Sequence, residues 1–260
     1  RGLGDVYKRQ LFSFPGGAPP LYQPGFTRHS AQNSPTAHPW IRAPMQTTNT
    51  VLMIRPARFA FNPDTAINNR FQRQPLDPLS VQQKALQEFD GYVDTLRQHG
   101  VEVLVVQDTP APHTPDSIFP NNWWSSHADG SLVLYPMEGQ NRRLERNKGV
   151  LQVLEQRFAI RSTIDLSPLE QQNIFLEGTG SMVLDRQHRI SYACHSGRTH
   201  QDALRQFAER LDYQLCVFHA VDRHHAPIYH SNVMMSVGRD LSVVCLQALP
   251  CLLYTSDAAD

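Results

Sequence analysis

No apolar run in this 260-residue chain approaches the roughly 18 residues that a membrane-spanning helix needs; the longest, at 103–106 and 242–246, have the length of strands. Net charge is missing too, with 24 Lys and Arg against 24 Asp and Glu, which argues against a nucleic-acid or acidic-lipid surface. Cysteine is sparse. Cys194, Cys216, Cys245 and Cys251 show no CxxC or zinc-ligand spacing, and a reducing, cytoplasmic setting is expected. There is no HExxH, and the cluster of His224, His225 and His230 has no matched ligand spacing, so no metal is expected. The segment Gly178, Thr179, Gly180, Ser181 is too short to cradle a phosphate, which removes a nucleotide site. No basic n-region precedes an apolar h-region, as a secretory signal would require.

The chain does have enough apolar residues, 40%, to bury a sizeable core, and its length suits one large domain or two small ones. Its ends differ from its middle. Residues 11–44 scatter Pro, Gly and Ser with neither a 3.6 nor a 2 periodicity, so 1–44 reads as a non-native or disordered leader, with Met45 a candidate start. The first and last ten residues resemble translated adapter read-through. That reading makes 45–249 the folded domain, truncated within its last repeat, and 250–260 an adapter-like tail.

Within 45–249 one order of elements recurs. After a strand at 50–55, a helix at 79–99 closed by Gly100 and a strand at 101–106, the pattern predicts a strand at 118–125, a turn, a strand at 131–135, a helix near 143–158 and a strand at 159–166. The same series follows at 181–184, 189–194, 199–211 and 213–218, and a third copy opens at 233–237 and 242–246. Strand-turn-strand-helix-strand units at intervals of some 50 to 60 residues suggest modules set around an axis.

Polar residues stand at matching places in these units. Asp116, Asn121 and Asn122 accompany the first strand of one copy, Glu177 that of the next, and His230 and Asn232 that of the third. Arginine recurs at the junction of second strand and helix, as Arg142 and Arg143, then Arg198. In a pseudo-symmetric ring, equivalent positions lie at equal distance from the axis, so these groups would meet in one pocket. Carboxylates and amides suit a guanidinium or ureido group, and arginines suit a carboxylate. The ligand so implied is an arginine-like or citrulline-like amino acid, with His230 able to move protons and Glu177 to orient it or hold substrate. Cys194 and His195 are adjacent strand residues and point to opposite faces, which makes them a decoy rather than a nucleophile–base pair. Cys216 and Cys245 are expected to be core thiols, and Trp123 and Trp124 wall or core.

The stretches 116–122 (DSIFPNN), 142–145 (RRLE), 175–178 (FLEG), 196–199 (SGRT) and 230–232 (HSN) resemble, in order and placement, the guanidine-modifying superfamily of arginine deiminases, dimethylarginine hydrolases and amidinotransferases. The opening Leu52, Met53, Ile54, Arg55, Pro56, with Asn68 and Asn69, is similar to its citrulline-utilisation branch. The resemblance implies a five-bladed α/β propeller, the pentein fold, with its last repeat incomplete here. It also implies cofactor-free hydrolysis of a C–N bond through a covalent cysteine intermediate. His230 would be the general acid and base, Glu177 its acidic partner, Asp116 a ligand to substrate nitrogen, and Arg143 and Arg198 ligands to substrate carboxylate. The nucleophilic cysteine would lie beyond Leu249, leaving this stretch of chain inactive by itself. Asn122 and Asn232 stand where deiminases carry acids, which favours a neutral ureido group over a charged guanidinium. An amidinotransferase and a non-catalytic amino-acid-binding protein of the same fold stay open as alternatives, as does homo-oligomerisation.

Overall fold

A continuous apolar run, Val51 to Ile54, sets the first strand, β1 (Thr50–Arg55), which pairs in parallel with β2 (Glu102–Gln107), Thr50 opposite Glu102 and Arg55 opposite Gln107. The computed structural model describes residues 45–250 except 67, 68, 70, 71, 73, 75 and 76. The leader assigned to 1–44, the tail from 251 with Cys251, and Asn68 lie outside those residues. Between β1 and β2 run a single turn, α1 (Pro63–Ala66), and a long helix, α2 (Pro78–Gln98). Asp77 caps α2 by accepting from the backbone N–H groups of Leu79 and Ser80. Gly100, at φ 79°, ends it in the left-handed region. Phe89 and Val93 of α2 cover Val103 on β2.

The next two units share one plan. β3 (Trp124–Ser126) pairs antiparallel with β4 (Ser131–Leu134), which pairs in parallel with β5 (Ser162–Asp165). Likewise β6 (Met182–Asp185) pairs antiparallel with β7 (Ile190–Cys194), and β7 in parallel with β8 (Gln214–Phe218). A third hairpin joins β9 (Met235–Val237) to β10 (Ser242–Val244). The expected order of elements is thus present in an α/β fold. The described strands fall into four separate sheets, without a closed barrel or a fifth unit among the described residues.

Helical connections differ in detail from the sequence pattern. The helix expected at 143–158 is broken into α3 (Gln140–Arg143), a 3-10 turn (Leu144–Asn147) and α4 (Val150–Arg157), because Gly149 takes φ 76° between them. The strand expected at 118–125 begins instead with a 3-10 turn, Pro120–Asn122, where Pro120 removes a ladder donor. Two further turns precede the later hairpins, α5 (Gly178–Ser181) before β6 and a 3-10 turn (Ser231–Val233) before β9. The crossover in the third unit is α6 (Gln201–Leu211), which buries Ala203, Leu204, Phe207, Ala208 and Leu211 on one face. Phe207 packs with Tyr135, Leu176, Met182 and Ala193 in the largest core. Cys216 and Cys245, expected in the core, are exposed. Cys216 belongs to β8, the outer strand of its sheet, whose half-buried side chains are Leu215 and Phe218.

Half-buried beside this core, the His127 ring lies 6.1 Å from that of Phe207, with Nε2 3.0 Å from Ser125 Oγ. Burial, with Arg186 nearby, pushes its pKa down to about 4. The folded state therefore disfavours the proton that the unfolded chain takes up below about pH 6.5. Stability is expected to fall as pH drops from 6.5 towards 4, by about 2 kcal/mol after allowance for partial exposure. His127→Gln should flatten that segment of a urea-midpoint profile; an unchanged profile would refute the assignment.

Backbone packing gives a second test. Gly178 has φ 46°, and a Cβ there would meet the Asn121 carbonyl oxygen at 2.4 Å, whereas Gly91 in α2 has nothing within 4 Å. Gly178→Ala is expected to cost about 2 to 4 kcal/mol and Gly91→Ala to add about 0.5 to 1 kcal/mol. Equal denaturant midpoints for the two variants would contradict this packing.

Candidate active site

The three short turns that precede β3, β6 and β9 meet: α5 packs against Pro120–Asn122 on one side and Ser231–Val233 on the other. Small size permits the approach. A Cβ on Gly180 would lie 2.5 Å from Asn122 Nδ2 and 2.8 Å from both Cε1 and Nδ1 of His230, so those groups fill the space a side chain would take. Hydroxyls then tie the turns together. Ser181 Oγ donates to the Arg198 carbonyl at 2.7 Å and accepts from Glu177 N at 3.0 Å. Ser231 Oγ donates to the Ser181 carbonyl at 2.7 Å and accepts from Cys194 N at 2.7 Å.

Glu177 stands immediately before α5 and His230 immediately before the third turn, and their side chains touch, Nε2 to Oε2 at 2.8 Å. Glu177 is fully buried and His230 is 5% exposed. Arg198 Nη1 adds a longer contact to the same oxygen at 3.4 Å. Burial by itself would raise the Glu177 carboxyl, but the His230 hydrogen bond and the charges of Arg198, His230 and Arg142 outweigh it and bring the pKa to about 2. Desolvation lowers the His230 pKa, opposed by Glu177. A carboxylate only accepts, so Nε2 carries the ring proton and the lone pair sits on Nδ1, on the side of Gly180 and Asn122. The arrangement is an oriented base, neutral at pH 7.

Asp116 is buried, and its Oδ2 accepts from Asn62 Nδ2 at 2.7 Å and Thr65 Oγ1 at 3.0 Å. Asn122 is also buried, and its Oδ1 accepts from Arg142 Nη1 at 2.7 Å. Arg142 has donors only, so the amide is fixed with Nδ2 towards Gly180 and His230. The other Arg142 nitrogens fork onto both oxygens of Glu145, at 2.9 and 3.1 Å. Burial raises the Glu145 carboxyl to about 7, against the opposing charge and hydrogen bond of Arg142.

Arg143, for which the resemblance implies a substrate-carboxylate role, is held by backbone of the preceding loop. Its Nε donates to the Met137 carbonyl at 2.9 Å and its Nη2 to the Glu138 carbonyl at 3.2 Å, with the guanidinium 5.7 Å from the Phe175 ring. Arg142 turns inward instead, since neighbours in a helical turn point about 100° apart. Asn121 is half-buried and contributes backbone, its carbonyl abutting Gly178 and accepting from Thr179 Oγ1 at 3.3 Å. Asn232 is half-buried within the third turn. Arg198 joins the cluster as expected from its position, 2% exposed and 4.6 Å over the Tyr229 ring.

Sequence reasoning missed Asn62, Thr65, Glu138 and Glu145. The first two lie in a segment without periodicity, whereas Glu145 stands three residues after Arg142, a spacing that could have been read as a helical ion pair. Cys194 is buried with Sγ 3.4 Å from the Ile228 carbonyl, and burial pushes its thiol up, away from nucleophile chemistry. His195, next in sequence, is exposed. Among the described residues no group of three His, Cys, Asp or Glu side chains could hold a metal, and no helix is long and apolar enough to cross a membrane.

Solved structures share this architecture. The N-terminal domain of ArgZ, in a variant covalently bound to a reaction intermediate, aligns with a TM-score of 0.59 at 19% identity, over 80% of this chain and 70% of that one. ArgZ is an arginine dihydrolase of cyanobacteria, and this chain spans 27% of its full length. Unliganded AgrE aligns with a TM-score of 0.58 at 20% identity, over 80% of this chain and 28% of that one. A dimethylarginine dimethylaminohydrolase in adduct with 4-chloro-2-hydroxymethylpyridine aligns with a TM-score of 0.53 at 16% identity, over 75% of this chain and 68% of that one. No curated protein matches the sequence. The family profile described as N,N dimethylarginine dimethylhydrolase, eukaryotic, matches residues 55–256, most of the chain. With that match and the shared α/β architecture, the chain belongs to the dimethylarginine dimethylhydrolase family of the guanidine-modifying pentein superfamily.

Proposed function

We propose that this chain builds the pocket of a hydrolase that cleaves a C–N bond in an arginine-like or citrulline-like amino acid through a covalent thiol intermediate. The buried contact between Glu177 and the His230 imidazole carries this reading, because it supplies an oriented proton acceptor with its second nitrogen left over. The nucleophile is assigned to a cysteine outside the described residues. Cys194 is inert by burial, and Cys216 and Cys245 are exposed on the third and fourth sheet units.

In this mechanism His230 takes the thiol proton, and the thiolate attacks the ureido or guanidino carbon, opening its double bond. Collapse of the tetrahedral adduct breaks the C–N bond while imidazolium gives its proton to the leaving nitrogen. Neutral His230 then takes a proton from water, which attacks the thioester-like carbon, and the departing thiolate recovers that proton. Glu177 holds the ring throughout and stabilises its charged form. His230→Ala in the active enzyme is expected to lower kcat by about 10²-fold without loss of the folded state by circular dichroism. Unchanged turnover would overturn the mechanism.

Within the substrate class, Asn122 favours the neutral ureido group. Its amide N–H faces the pocket, so it can donate to a carbonyl oxygen, and to the oxyanion that forms there, but cannot accept from a guanidinium. Asn122→Asp keeps an oxygen for Arg142 and turns an acceptor towards the pocket. Calorimetric titration should show L-citrulline bound more tightly than L-arginine by the parent chain, and that preference reversed by about 10-fold or more in the variant. The same ranking in both proteins would remove Asn122 as the discriminating group.

A further inference from the structure

Thr65, 1% exposed in the turn α1, touches both Asp116 and Arg198. Its hydroxyl donates to Asp116 Oδ2 at 3.0 Å, and its carbonyl accepts from Arg198 Nη2 at 3.0 Å. The direction of the first bond is fixed. Gln72 Nε2 donates to Thr65 Oγ1 at 2.8 Å, so the hydroxyl proton is left for the carboxylate, which only accepts. The rotamer is fixed as well. A Cβ on Gly139 would lie 3.1 Å from Thr65 Cγ2, so the methyl is seated against that glycine while the hydroxyl faces Asp116. Asn62 Nδ2 donates to the same Oδ2 at 2.7 Å. Two donors from different directions therefore converge on one carboxylate oxygen, which settles the plane of the group and the place of Oδ1.

We infer that Thr65 is a positioning residue whose hydroxyl sets the Asp116 carboxylate to receive the ureido or guanidino nitrogen of the ligand. This rests on the reading of Asp116 as a ligand to substrate nitrogen and of Arg198 as a ligand to substrate carboxylate. The two contacts of Thr65 use separable atoms. Replacing the hydroxyl by a methyl group of similar size removes the bond to Asp116 and keeps the carbonyl that Arg198 uses. Arg198 also rests on Glu177 and Glu138, so its place does not depend on the Thr65 side chain. Asn62 is then the donor remaining at Oδ2, and the carboxylate can turn about that single bond. No charge is added or removed. The loss is one of geometry, felt at the nitrogen end of the ligand and not at its carboxylate end.

The test compares L-citrulline with L-norvaline, which keeps the amino-acid head and three-carbon side chain without the ureido group. Calorimetric titration is applied to the full chain and its Thr65→Val and Thr65→Ser variants, with L-norvaline read by competition where it binds weakly. The parent is expected to prefer L-citrulline by about 10-fold or more, the scale of a charge-assisted hydrogen bond. Thr65→Val should weaken L-citrulline by about 10-fold and leave L-norvaline within about twofold. Thr65→Ser restores the hydroxyl and should stay within about threefold of the parent for both ligands. Thr65→Ala gives the same reading as Thr65→Val should the valine variant unfold. A merely structural residue would weaken both ligands alike. Equal losses for the two ligands, or no loss for L-citrulline, overturn this inference and leave the pocket assignment standing. A parent that binds neither ligand overturns the pocket assignment itself, and this inference with it.

Discussion

An ionised carboxylate fully removed from water costs several kcal/mol unless its neighbours replace the lost hydration. Glu177 is in that position, and the surrounding backbone is arranged to satisfy it. One oxygen receives the His230 N–H and the more distant Arg198 charge, and the other receives the Glu138 N–H at 3.2 Å. These donors come from separate units of the chain, so they reach the carboxylate only where three turns touch. Side chains at the points of contact would hold the turns apart, hence glycine at 178 and 180. The sequence FLEGTG thus expresses one constraint rather than two: a buried anion, and the bare backbone needed to surround it.

Both buried arginines act first as framework. Arg142 joins Glu145, Asn122 and the carbonyls of Asp116 and Phe119, which fixes the loop before β3 against α3. Around it, Arg146 pairs with Glu170, whose Oε1 also accepts from Met137 N, while Lys148 pairs with Asp108 beside Ser117. Loops at the ends of β4 and β2 are therefore stapled by charge-assisted bonds with little exposure. Such a network tolerates the loss of a whole pair better than the loss of one member, which strands a charge in low dielectric. Its worth to function is positional: it holds the Asn122 amide in one orientation.

How much of this was legible in the sequence depended on range. The order of strands and helices could be read because apolar alternation and helical spacing are local, and Asp116, Asn122, Glu177, Arg198 and His230 could be grouped because each sits at a repeat-related position. The three short turns were not legible. A turn of three or four residues has no periodicity, and apolar flanks such as Ile118 and Phe119 made 118–125 look like strand. Arg142 and Arg143 are indistinguishable by type, and only the start of α3 at Gln140 decides which faces inward. Asn62 and Thr65 serve Asp116 across more than 50 positions of sequence, and nothing near them marks the connection.

The repeat and the site finally answer different needs. Successive units bring the turns before their hairpins into contact, but identical residues at those contacts would give three like charges or three amides, with no gradient for a proton to follow. Divergence supplies the gradient. An amide stands on the first turn, an acid before the second and an imidazole before the third, and their environments push the acid down to about 2 while burial lowers the imidazole. The acid therefore stays charged and the imidazole stays available to accept a proton at neutral pH. Proximity comes from the contact between the turns, and the difference in acidity from the different residues they carry, so a change that made those residues alike would remove that difference.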